Sequence, residues 1–271
     1  MKLTENQDSL VSLEILEEEF GQIWFLTFER PEDRNPLDRE TVSCLLDIVK
    51  EAVSDSKARA FIMTGSGSAF SAGGDLKGYL KLYRDPVAFR QFQDDLYKIC
   101  ELLESGEIIS AAMINGTCVA GGLEIALACD MITIDKGARI GDGHLKFGQL
   151  PGAGGSQRLC RAIGVQKARE MLLTANLYTA EEAHQMGLVN KVYATDTLRK
   201  GTLETVREMA GHSSLAIRRM KELIELSQEF PKSNSLDEEE QVVWTYATTS
   251  HDAVEGLNAF AEKRKPEVSG E

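Results

Sequence analysis

Apolar and polar residues alternate with period two in VSLEILEEE (11–19) and again in QIWFLTFER (22–30), with Gly21 between them, which predicts two strands joined by a turn. The period then lengthens. Asp38 is placed as an N-cap, and Val42, Leu45, Leu46, Val49 and Val53 fall on one stripe of a helix. ARAFIMTG (58–65) has the short β-rich run of a buried strand, and the Gly- and Ser-rich segment 66–78 reads as a loop. Asp85-Pro86 supplies a cap and first turn, after which Phe92, Leu96, Ile99 and Leu103 mark another helix. EIISAAMI reads as strand, GGLEIALA as a short apolar helix and DMITID as strand, so strands and helices alternate in an α/β pattern. Beyond Gly155 helices dominate: QKAREMLLT, then Thr179 to Glu182 with the form of a capping box. LVNKVYA adds one more strand. From about Leu198 to Arg264 the pattern is helical and charged with no clear strand, which predicts a helical appendage covering the core or a partner subunit.

The run from Ile108 to Ile134 is apolar enough to need a membrane test, having only Glu124 and Asp130 as charged residues. Each central carboxylate would cost about 2.5–3.5 kcal/mol to insert, and the glycines at 116, 121 and 122 break the run into shorter pieces, so a buried core is expected rather than a membrane span. The 271 residues carry a net charge of −13 with no strongly basic patch, which argues against a nucleic-acid partner. The five cysteines at 44, 100, 118, 129 and 160 form no C-x-x-C pair, as expected of reduced thiols. The opening MKLTENQDSL has neither the apolar stretch of a secretory signal nor the make-up of a transit peptide, so a cytoplasmic location is expected.

There is no G-x-S-x-G nucleophile elbow, no phosphate-cradling G-x-x-x-x-G-K-[ST] and no strand-linked G-x-G-x-x-G. Three glycine-bearing segments remain. In GGLEIALACD a lone carboxylate, Glu124, stands near the start of an apolar helix directly after two glycines. Burial there would suit a general acid or base, although first-turn glutamates also serve helix starts. FSAGGDLKGY (70–79) could present a backbone N–H to a ligand or be an ordinary turn. PGAGGSQRL (151–159) reads as a helix start or an anion nest.

Taken in order, SAGGDLK, INGTCVAGGLEIALACD and PGAGGSQRL resemble the enoyl-CoA hydratase/isomerase, or crotonase, superfamily over roughly Leu26 to Tyr193, and DAVEGLNAFAEKRKP is similar to its carboxyl end. The resemblance implies an α/β fold in which ββα units wind as a spiral, residues 1–195 forming the catalytic core. Residues 196–271 would form a helical trimerisation region covering the core and the subunit interface. It implies an acyl-CoA substrate, no metal and no cofactor beyond the coenzyme A of the substrate, and a homotrimer or hexamer. The thioester oxygen would be held by the N–H groups of Gly74 and Gly121, an oxyanion hole that stabilises an enolate. Arg34, Ala72, Gly74, Asp75, Leu76 and Lys77 fall where the family binds the CoA ester, Lys263, Arg264 and Lys265 where a neighbouring subunit supplies a cation, and residues 81–92 where the acyl pocket is shaped.

Family hydratases place one glutamate at the GG-x-E position and a second about twenty residues later. Glu124 matches the first. Counting back from PGAGG puts His144 at the second, with Asp142 beside it as another possible substitute. A histidine can still exchange a proton at neutral pH. Hydration of a 2-enoyl-CoA is therefore the leading expectation. Double-bond isomerisation, or hydrolysis of a β-keto or cyclic acyl-CoA by Glu124 with His144, is the alternative, and a catalytically silent acyl-CoA binding protein is a third.

Overall fold

The computed structural model describes residues 10–104, 106, 108–229 and 232–270. Residues 1–9, which carry most of the segment weighed for a targeting signal, and Glu107, at the start of one expected strand, lie outside them.

The chain opens as an antiparallel hairpin of β1 (Val11–Glu18) and β2 (Gly21–Phe28), with Val11 opposite Phe28 and Glu18 opposite Gly21. Helix α1 (Arg39–Ser54) starts where expected, the Thr41 N–H donating to the Asp38 carboxylate at 2.9 Å. Strand β3 (Ala58–Gly65) returns parallel to β2. From here one unit recurs: a strand, a three-residue strand and then helix. The first is β3, β4 (Ala69–Ser71), α2 (Leu76–Leu82) and α3 (Pro86–Glu104). The second is β5 (Ile109–Ile114), β6 (Thr117–Val119) and α4 (Gly121–Leu127). The third is β7 (Met131–Asp135), β8 (Arg139–Gly141), α5 (Gly155–Ile163) and α6 (Val165–Thr174). Then come β9 (Tyr178–Thr179), α7 (Ala180–Gln185) with its Thr179/Glu182 capping box, and β10 (Lys191–Tyr193). Four helices finish the chain: α8 (Leu198–Ala210), α9 (Ser214–Glu229), α10 (Lys232–Thr249) and α11 (His251–Glu262).

The recurrence builds two sheets. The long strands form one, in the order β1-β2-β3-β5-β7-β10, parallel except at β1, and the short ones form another, in the order β4-β6-β8-β9. Each turn of the spiral places one strand in each sheet. The central strands β3, β5 and β7 are buried on both faces, which is why they read as near-continuous apolar runs. Trp24, Leu26, Phe28, Phe61 and Met63 pack on the side of α1 and α3, whereas Ile23, Phe25, Ala60 and Ile62 pack against Leu198, Leu203, Val206 and Ala210 of α8.

The short sheet differs from the sequence expectation. Residues 66–78 contain β4 and the start of α2, and β6, β8 and β9 lie where no strand is predicted. Two or three residues carry no readable period, and pairing with neighbours is what makes them strands. The apolar 108–134 run is distributed over β5, β6, α4 and β7, and among the described residues no helix is long and apolar enough to cross a membrane. The five cysteines are free thiols.

Candidate active site

Strands β4, β6 and β8 are parallel neighbours, with Ser71 beside Cys118 and Val119 beside Gly141. Their carboxyl ends therefore release three loops side by side, carrying Gly73-Gly74, Ala120-Gly121 and Asp142 to His144. Cross-links hold these loops in register: the Ala120 N–H donates to the Asp142 carbonyl at 2.9 Å, and the Leu37 N–H donates to the Gly73 carbonyl at 2.8 Å. A Cβ added to Gly121 would stand 3.9 Å from the Gly74 nitrogen, so the two glycines face each other across a narrow gap. The Gly121 N–H is the first of α4 and has no partner within its helix. Just before it, Ala120 has φ 54° and ψ −121°, a conformation rare for a residue with a side chain. Such strain persists only where the surroundings hold it, and here it sits at the turn that aims the Gly121 N–H.

Glu124 lies one turn into α4 and is 2% exposed. Its carboxylate is gripped by the PGAGG loop: Oε1 accepts from the Ala153 N–H at 2.7 Å and the Gly155 N–H at 2.9 Å, and the Gly152 N–H reaches Oε2 at 3.4 Å. Both readings of this loop hold: α5 starts at Gly155, and the loop's N–H groups bind an anion that is a side chain of the same molecule. Gly155 is required at its place, because a Cβ there would lie 2.8 Å from Glu124 Cγ. Arg158 braces the loop, donating from Nη1 to the Ala153 carbonyl at 2.6 Å while Nε and Nη2 grip Glu104 at 2.5 and 2.6 Å.

His144 follows β8 and faces Glu124, its Nε2 lying 3.8 Å from Oε2. Its Nδ1 lies 2.8 Å from Oδ1 of Asp142, which is 1% exposed, and the His144 N–H donates to Oδ2 of the same carboxylate at 3.2 Å. An ionised carboxylate only accepts, so Nδ1 carries the proton toward Asp142 and Nε2 is the atom turned to Glu124. Asp142, weighed from sequence beside His144 as another substitute for the second glutamate, is a hydrogen-bond partner of the His144 side chain. The 3.8 Å gap is too long for a direct hydrogen bond and suits a bridging water.

Gly74, Gly121, Glu124 and His144 all line one cavity of about 640 Å³. Its far wall is aromatic: Tyr79, Tyr83, Phe89 and Phe92 form a chain of stacked and edge-on rings with centroids 4.8–5.8 Å apart. Three of these four lie in residues 81–92. Tyr79 was not singled out from sequence, where it is one more aromatic position at the end of a glycine loop. Of the other CoA-site candidates, Arg34 and Ala72 are joined backbone to backbone at 2.8 Å, and Asp75 caps α2 through the Lys77 and Gly78 N–H groups. Leu76, Lys77 and Arg34 are exposed, and these five stand outside the lining of the cavity that Gly74 enters. Arg264 is engaged within its own chain, by Glu255 and Glu262.

The chain that forms this site matches known proteins over most of its length. Residues 18–271 match the family model described as enoyl-CoA hydratase/isomerase. The chain is 36% identical to a protein of Dictyostelium discoideum described as "Probable enoyl-CoA hydratase, mitochondrial", over 92% of this chain and 88% of that one. It is 32% identical to the 2,3-dehydroadipyl-CoA hydratase of Escherichia coli, over 92% of this chain and 96% of that protein. The crystal structure of an enoyl-CoA hydratase from Bacillus anthracis superposes with a TM-score of 0.88 at 30% identity, covering 97% of this chain and all of that one. Two sheets wound as a spiral, a paired-glycine gap and a family match that runs from β1 to the carboxyl terminus lead to one conclusion: the chain belongs to the enoyl-CoA hydratase/isomerase family.

Proposed function

We propose that the protein is an enoyl-CoA hydratase, adding water reversibly across the α,β double bond of a 2-enoyl-CoA. The observation that carries this reading is the convergence of two glycine N–H groups, one carboxylate and one oriented imidazole on a single cavity. The thioester oxygen accepts from the Gly74 and Gly121 N–H groups, which drains charge from the β-carbon and later stabilises the enolate. A water between Glu124 Oε2 and His144 Nε2 attacks the β-carbon as Glu124 takes its proton. His144, protonated on both nitrogens and anchored through Nδ1 by Asp142, delivers the Nε2 proton to the α-carbon. Glu124 then returns its proton to His144 through the next water, so both groups end as they began. The reaction balances as proton transfers and one water addition, and the proposal calls for no metal or redox cofactor.

Arg34, Ala72, Asp75, Leu76 and Lys77, which gather about Gly74, are proposed to receive the CoA portion. Local cations have to do this, since the net charge of −13 repels an anionic ligand at long range. Residues 196–271 are proposed to carry the contacts of a homotrimer or hexamer. Trp244, Leu257 and Phe260 are 63%, 72% and 85% exposed on α10 and α11, apolar side chains that such contacts would cover. A cytoplasmic location is proposed with them.

The test is conversion of crotonoyl-CoA, followed by loss of the enoyl thioester absorbance, for wild type, Glu124→Gln and His144→Ala. Hydration by wild type and its loss in both variants is the expected result. Turnover of the substrate to a shifted double bond would make the protein an isomerase instead.

A further inference from the structure

The Tyr79 hydroxyl occupies an unusual place. It lies where residue 74 would carry a side chain: a Cβ built on Gly74 would be 2.0 Å from Oη and 2.4 Å from Cζ. Glycine at 74 is thus the condition for Tyr79 to reach this point, beside one of the two glycines that face each other. The ring is fixed by two neighbours, stacked on Tyr83 at 5.5 Å and edge-on to Phe92 at 5.8 Å, and is carried by α2, whose start is capped by Asp75. Tyr79 lines the same cavity as Gly121, Glu124 and His144. Among the described residues its hydroxyl has no hydrogen-bond partner, whereas that of Tyr83 is bound to Gln149. Burial first, then Tyr83, Glu124 and Asp75, push the phenol well above its ordinary value, so it keeps its proton throughout the neutral range.

We infer that the Tyr79 hydroxyl is a third donor to the thioester oxygen, completing the site that the Gly74 and Gly121 N–H groups begin. The inference rests on the oxyanion reading given above. A phenol held by ring packing reorganises little as charge develops, which is the property that makes such donors effective. It also explains the glycine at 74, since a methyl group there would exclude the hydroxyl.

The experiment uses the full-length protein and cinnamoyl-CoA, whose conjugated thioester absorbs further to the red as its carbonyl is polarised. Wild type is compared with Tyr79→Phe, which keeps the ring and removes only the hydroxyl, near-ultraviolet circular dichroism showing that packing is retained. The expected result is a red shift in wild type that is smaller in the variant, with kcat and kcat/KM for crotonoyl-CoA falling together by about 100-fold. An unchanged red shift and rate in Tyr79→Phe overturns the third donor and leaves the two-glycine site standing. Weaker binding with an unchanged red shift also overturns it, making Tyr79 a wall of the acyl pocket. No red shift in wild type overturns both this inference and the oxyanion reading beneath it. Should Tyr79→Phe lose its fold signature, Tyr79→Met with the same readout replaces it, since a flexible apolar side chain fills the space and carries no donor.

Discussion

Glu124 is held in place by backbone N–H groups of a single loop. Three backbone N–H groups fix the carboxylate while Oε2 still faces His144. Glutamine at 124 keeps a carbonyl oxygen for the Ala153 and Gly155 N–H groups but accepts no proton, so Glu124→Gln is expected to fold normally and lose about 10³-fold in kcat. Asp142→Asn is expected to lower kcat by about 10²-fold with little change in KM, because a neutral amide no longer balances the charge of the imidazolium anchored through Nδ1. Rates measured across pH for both variants check this: Asp142→Asn should alter the limb that depends on His144, and an unchanged profile would remove Asp142 from the mechanism. Glu124 was legible in the sequence, since a carboxylate after two glycines in an apolar helix is conspicuous. His144 was legible only through the family resemblance, by its distance from PGAGG. The support from Asp142 and the placement of Tyr79 were not, because each depends on a side-chain direction that spacing along the chain does not encode.

At the scale of elements, the site is made by strand exits. Helix caps and long strands were readable because Asp38, Asp85 and Thr179 satisfy helix-start N–H groups locally, and because a strand buried on both faces is uninterrupted apolar sequence. The short sheet that aligns Gly74, Gly121 and His144 was not readable, since its strands exist only through pairing across 20 or more residues of chain. Helix α9 is fastened to the core by a lysine that takes no part in the proposed chemistry. Lys221 of α9 is buried and donates to the Leu103 and Ile108 carbonyls at 3.1 Å and to Asp130 Oδ2 at 2.8 Å, where Ser110 also binds. Lys221→Met leaves that carboxylate and two carbonyls short of a donor, and is expected to cost about 3 kcal/mol in a denaturant titration. The folded variant should keep the kcat of wild type. A loss below 1 kcal/mol would mean that water replaces the ammonium.

At the scale of the whole molecule, the carboxyl-terminal tail is tied back by two acidic residues of α11. Burial pushes Asp252 up, but hydrogen bonds from Ser213, Ser269 and Gly270 outweigh it and hold the group at about 2. Arg264 and the Glu267 N–H hold Glu255 at about 2 as well. Both values lie below the ordinary carboxylate range, so the stabilisation is fully present above pH ~4 and is lost as pH falls toward ~2. Protection of the Ser269 and Gly270 amides from exchange, taken relative to the intrinsic rate at each pH, is expected to fall over that interval in wild type and to be low already at neutral pH in Asp252→Asn. The central claim concerns water: Glu124 and His144 add it across a carbon–carbon double bond. The most direct test is mass spectrometry of the products of crotonoyl-CoA formed in heavy-oxygen water. One label at the β-hydroxyl with wild type, absent with Glu124→Gln and with His144→Ala, is the predicted result. A product with a shifted double bond and no label, a label found only in a new carboxylate, or normal labelling by His144→Ala would contradict it.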